Sequence, residues 1–87
     1  MADIFEWDEF KLPKVHYRKL GKHRLWGYQF KNSIHIDERL KNKELFEIEI
    51  HEFLHWLYPD KEEGDIVKDS RMMTEFFWSL NYRKANQ

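Results

Sequence analysis

The chain has no cysteine, which excludes disulfide staples and thiolate ligands together, so a bound metal can rely only on imidazole nitrogen and carboxylate oxygen. It also has no internal repeat, no low-complexity tract and no Gly/Ser linker, which leaves one folding unit spanning residues 1–87. No stretch approaches the roughly 18 consecutive apolar residues of a membrane-spanning helix. The N-terminus, Met1 to Phe10, carries acids where a secretory signal has bases and then an apolar run. Together these absences predict a soluble, cytoplasmic protein with no membrane partner.

Proline is scarce, and each of the two marks a boundary. Pro13 follows a loosely ordered leader, residues 1–12, and Pro59 disfavours helical geometry at Tyr58. With 87 residues the chain can bury only about two-thirds of the surface that its unfolded form exposes, so its core is thin and extra stabilisation is useful. Aromatic residues make up 17% of the chain, enough for a few large side chains to replace a bigger core or to line a cleft. A thin core with many rings also fits a homodimer. Charge is nearly balanced overall but unevenly placed. Residues 11–36 hold seven Lys or Arg and no acid, whereas residues 37–75 hold twelve acids and six bases.

Two runs of strand formers, Val15–Leu20 and His23–Phe30, flank Gly21-Lys22 and read as a hairpin. In the second run Trp26, Tyr28 and Phe30 share one face, opposite Leu25 and the gap at Gly27. Ser33–Asp37 alternates apolar and polar residues, a third strand with Ile34 and Ile36 inward. Asn42 can cap a helix from about Lys43 to Leu57, striped by Phe46, Ile50, Phe53 and Leu57. Leu45, Ile48, Leu54 and Trp56 spread apolar surface round the rest of that helix, which predicts burial on several sides. After a reversal within Asp60–Asp65, a second helix runs from Glu62 or Asp65 to about Tyr82, with Ile66, Met73, Phe76, Phe77 and Leu80 inward. Strands followed by helices give an α+β order: a small antiparallel or mixed three-stranded sheet on two helices.

The first helix carries His51-Glu52-Phe53-Leu54-His55, an HExxH motif. Residues four apart on a helix sit about 40° apart in projection and roughly 6 Å apart along the axis, so both imidazoles can reach one ion. Glu52 lies about 100° round from His51, beside such an ion and not on it. That division suits Zn²⁺ bound by two neutral imidazoles, with Glu52 as general base to a water in the site. An unpartnered carboxylate on the buried side of an apolar helix is costly, and a nearby cation offsets the cost.

A catalytic zinc normally has three protein ligands. Asp60, Glu62, Glu63, Asp65, Asp69 and Glu75 compete for the third place, and Glu63 is the choice, because it stands where the reversal can swing its side chain over His55. Asp60-Lys61-Glu62-Glu63 also fits a capping box, in which Glu63 satisfies only a backbone N–H. Tyr58 and Tyr82 are possible oxyanion donors, and His35 reads as an exposed strand histidine outside the site. Lys11–Lys31 combines the cations and rings of nucleic-acid contact, although a hairpin with one packed face explains the same residues. In a peptidase its edge strand can instead pair with an extended substrate.

These residues resemble the zincin metallopeptidases, in particular very small HExxH proteins of bacteria and phages similar to SprT-like and minimal gluzincin domains. The likeness spans Ser33–Arg83 through IHIDERL, KELFEIEIHEFLH, YPDKEE and FFWSLNYR, of which HEFLH is the specific part. It implies a sheet edge above the active-site helix, a His-His-acid zinc site and peptide-bond hydrolysis. By position His51 and His55 become ligands, Glu52 the base and Glu63 the acid ligand. The chain lacks the later histidine that SprT-like enzymes use, so a carboxylate must replace it. The expectation is a zinc metallopeptidase acting on a peptide or protein. The alternatives are a catalytically inactive, metal-stabilised interaction module and a nucleic-acid-binding protein.

Overall fold

A computed structural model describes residues 11–21 and 25–85. Residues 1–10 of the expected leader, and Lys22, His23 and Arg24 of the expected hairpin, lie outside the described residues. The elements run β1 (Lys14–Arg18), β2 (Gly27–Phe30), β3 (Ser33–Asp37), α1 (Asn42–Leu57) and α2 (Glu63–Ser79). The class is the α+β one expected, but the sheet is wired differently.

The sheet order is β1-β3-β2, with β1 parallel and β2 antiparallel to the central strand. The hairpin therefore joins β2 to β3, not β1 to β2. Its two-residue turn is Lys31-Asn32, with Lys31 in the left-handed region at φ 55°. Burial explains the order. Ile34 and Ile36 are 2% and 0% exposed, so the strand that carries them takes the centre, and the basic, aromatic strands take the edges. Leu25 and Trp26 precede β2 and are not part of it.

At the end of β3, Asp37 is fully buried and organises the turn into α1. Its carboxylate accepts the backbone N–H of Leu20 and Arg39 and the Nε and Nη2 of Arg39, the last at 2.6 Å. These donors, the Arg39 guanidinium foremost, hold Asp37 well below the usual carboxylate range despite its burial. Helix α1 then opens with Lys41 at its N-cap and makes no side-chain capping bond there. Asn42, expected as the cap, is instead the first helical residue, with φ 56°, a conformation that asparagine tolerates. Pro59 has the expected effect: Tyr58 leaves the helix at φ −126°, its N–H bonded to Leu54 C=O at 2.8 Å.

The layers are sheet, α1 and α2, with α2 packed on α1 and not on the sheet. Because α1 lies in the middle, no single stripe describes it: Leu45, Glu52 and Leu54 are its buried residues, while Leu57 of the expected stripe is 43% exposed. Leu45 joins Ile34 and Ile36 in the core, with Ile48, Phe53 and Trp56 against them. The expected stripe of α2 is corrected more strongly. Its buried face is Ile66, Ser70 and Thr74, whereas Met73, Phe76 and Leu80 are exposed. Small residues let the two helices approach, and their hydroxyls are satisfied within α2: Thr74 donates to Ser70 C=O and Ser70 to Val67 C=O. The helix ends at Ser79, short of Tyr82.

Candidate metal centre

The HExxH motif occupies the last two turns of α1, where the helix lies between sheet and α2. Glu52 points toward the sheet and is 6% exposed. His51 and His55 turn toward the start of α2, their side chains 16% and 20% exposed. The two rings sit edge to face with centroids 4.8 Å apart, as helical spacing requires.

Glu63, the first residue of α2, completes the group. Its Oε2 lies 3.4 Å from His51 Nε2, and its Oε1 lies 2.5 Å from His55 Nε2. The capping-box alternative is not formed, since Glu62 is the N-cap of α2 and the helix has no side-chain capping bond. Two of the other carboxylates considered are tied to lysines: Asp69 to Lys61 at 2.6 Å, and Glu75 to Lys43 at 2.7 Å. Among the described residues, His51, His55 and Glu63 are the group whose ligand atoms converge, all within 4.8 Å of one another.

By type this donor set could hold a divalent ion, although the 2.5 Å between His55 Nε2 and Glu63 Oε1 is hydrogen-bond spacing and would have to open for an ion to enter. Bonds of about 2.0 to 2.1 Å place tetrahedral ligand atoms roughly 3.3 Å apart, close to the 3.4 Å between His51 and Glu63. Burial pushes the His51 pKa down, against the opposing pull of Glu63, and so favours the neutral imidazole whose lone pair can bind metal. Ser70 Oγ lies 3.5 Å from His51 Nδ1. Because its own proton goes to Val67 C=O, this oxygen can accept from an Nδ1–H, which leaves Nε2 as the ligand atom.

Glu52 is held beside this group by the sheet. A Cβ on Gly27 would stand 2.8 Å from Glu52 Cγ, 3.2 Å from its Oε2 and 3.1 Å from Ile48 Cγ2. The glycine therefore lets β2 lie directly on the carboxylate. Burial, with the charge of Glu63 adding to it, pushes the Glu52 pKa up to about 7, the range in which a carboxyl group both accepts and returns a proton. In the sequence Gly27 read as a gap in a strand. Its role in seating the motif glutamate, like that of Ser70 behind His51, requires the pairing of elements distant along the chain.

The remaining candidates separate by position. Tyr82 lies beyond the far end of α2, about 25 Å along a helix of 17 residues from Glu63, and packs edge-on against Phe77. That removes it as an oxyanion donor. Tyr58 follows α1 directly and is 49% exposed, with Lys61 Nζ 5.1 Å above its ring. His35 lies on the opposite face of the sheet, stacked between His16 and Tyr28. It is half-buried, its Nδ1 has no hydrogen-bond partner among the described residues, and burial lowers its pKa. No helix among the described residues is long and apolar enough to cross a membrane. No protein-family model, no curated protein and no solved structure matches the chain.

Proposed function

We propose that the chain is a zinc-dependent metallopeptidase. The observation that carries this reading is that His51, His55 and Glu63 converge from two helices while Glu52 lies buried beside them under β2. His51 Nε2, His55 Nε2 and a Glu63 oxygen would hold the ion. Bound there, Zn²⁺ supplies Lewis acidity and lowers the pKa of a coordinated water. Glu52, buried beside the group, would take a proton from water in the site and carry it to the departing amine.

The edge of β2 suits an extended peptide. Asp37 N–H donates to Trp26 C=O at 2.8 Å. Antiparallel alternation then turns the N–H and C=O groups of Gly27 and Gln29 toward the edge that no described strand occupies. A substrate strand paired there passes beside Glu52.

The test is metal analysis of the purified protein together with cleavage of a fluorescent unfolded protein by the native chain, Glu52→Gln and His51→Ala. The proposal expects stoichiometric zinc in the first two, loss of zinc in the third, and turnover in the native chain alone. Zinc retained with no turnover in any form favours the metal-stabilised interaction module. No zinc, even after it is supplied, removes both readings.

A further inference from the structure

Alternation along the strands turns Lys14, His16 and Arg18 of β1, His35 of β3, and Tyr28 and Phe30 of β2 away from α1. Among the described residues neither helix covers this face, because α2 packs on α1 alone. Its composition is one-sided. The carboxylate whose register position falls there, Asp37, is fully buried and engaged by Arg39. Lys14, Arg18 and the turn residue Lys31 are exposed, so among the described residues cations face solvent on this side with no anion between them.

Rings fill the space between these cations. His16, His35 and Tyr28 form one row across the three strands, with centroids 5.0 and 4.6 Å apart and planes within 18° and 12° of parallel. Arg18 Nη2 donates to the Tyr28 hydroxyl and fixes the end of the row. Phe30 is 60% exposed, with Lys31 Nζ 5.5 Å above its ring. A large exposed phenylalanine beside a fixed row of rings, bordered by cations, suits a partner that is anionic and also presents flat apolar faces.

We infer that this sheet face binds single-stranded nucleic acid, with phosphates against Lys14, Arg18 and Lys31 and unstacked bases against Phe30 and the edge of the aromatic row. Three strands give a platform about 10 Å across, room for two or three nucleotides, with no protruding helix to enter a duplex groove. An unstructured polyanion without bases satisfies the cations and leaves the rings unused. The face shares no residue with the metal group, since its cations and rings lie on the side of the sheet turned away from His51, Glu52, His55 and Glu63.

Fluorescence polarisation with a short labelled oligothymidylate tests the inference on the full chain. Three phosphate contacts at a slope of about 0.7 each predict an affinity loss of roughly twentyfold between about 50 mM and about 200 mM salt. Lys14→Glu with Lys31→Asn, exposed positions whose change leaves the circular dichroism intact, should weaken binding at least about tenfold. Phe30→Ala should weaken it about fivefold or more. His51→Ala should bind as the unaltered chain does, so failure of the peptidase reading leaves this one standing. Absence of binding at low salt, indifference to the lysine changes, or loss of binding in His51→Ala overturns the proposal. Indifference to Phe30→Ala, with equal displacement by a heparin fragment, overturns it in favour of general polyanion binding.

Discussion

Gly27→Ala measures how tightly the sheet is seated on the motif glutamate. The added Cβ would meet Glu52 Cγ at 2.8 Å and Ile48 Cγ2 at 3.1 Å, both inside ordinary carbon contact, so β2 or the carboxylate must move. Overpacking of this kind costs about 1–3 kcal/mol, while replacing glycine restricts the unfolded chain and returns about 0.4–1 kcal/mol. The net loss is about 1–2 kcal/mol, which lowers the midpoint of thermal unfolding by roughly 5–15 °C in a domain of this size. The decisive measurement repeats the change in a Glu52→Ala background, where the Cγ that blocks the new methyl is gone. There the cost of Gly27→Ala should fall by at least about half, a coupling read as the difference between two pairs of melts. Equal costs in both backgrounds would refute the account, because the glycine would then serve the strand alone.

Ser70→Ala removes the oxygen behind His51 Nδ1 and leaves the helical ladder of α2 intact. Zinc affinity should drop roughly tenfold in a competition titration against a chromophoric chelator, and an unchanged affinity would mean that Ser70 does not orient the ring. Asp37 gives a prediction in pH. Its folded pKa lies below the unfolded value of about 3.9, so as pH falls the unfolded chain takes up the proton first. Its contribution to stability is therefore complete above about pH 4 and is lost as pH falls through the folded value. Asp37→Asn should be less stable than the native chain at neutral pH, with the gap in urea midpoints closing in acid; parallel curves would show that Asp37 adds nothing to acid sensitivity.

The motif, the two helices and the three strands are legible in the sequence because each follows from local spacing. The i, i+4 imidazoles, the break at Pro59 and the alternation of Ile34 and Ile36 require no knowledge of distant partners. The short reversal keeps Glu63 near the imidazoles, but it keeps Asp60, Glu62 and Asp65 there too, and only the start of α2 at Glu63 selects among them. Sheet order is a different kind of information. Gly21-Lys22 resembles a hairpin turn, but the choice of β3 as the central strand depends on which strand has its side chains most fully buried once all three are paired. The inner face of α2 is misread for a related reason. Hydrophobicity selects Met73, Phe76 and Leu80, whereas close approach of two helices selects Ser70 and Thr74, whose polar atoms are satisfied at no cost to the interface. Asp37 is unremarkable in a chain with many acids until its burial, and the approach of Leu20 N–H beside its near neighbour Arg39, are known.

Among the described elements helix α2 rests on α1 alone, and the middle of that seam is a serine and a threonine set between Ile66 and the contact of Trp78 with Phe46. With one face covered and the others open to water, its amides should exchange with solvent sooner than those of the central strand β3 when no cation bridges the helices. An ion shared by His51, His55 and Glu63 would clamp the two helices at the end nearest the reversal, leaving Tyr82 and the opposite end to fray. Occupancy of the centre would then be felt first as slowed opening of one helix, well before any change reached the sheet.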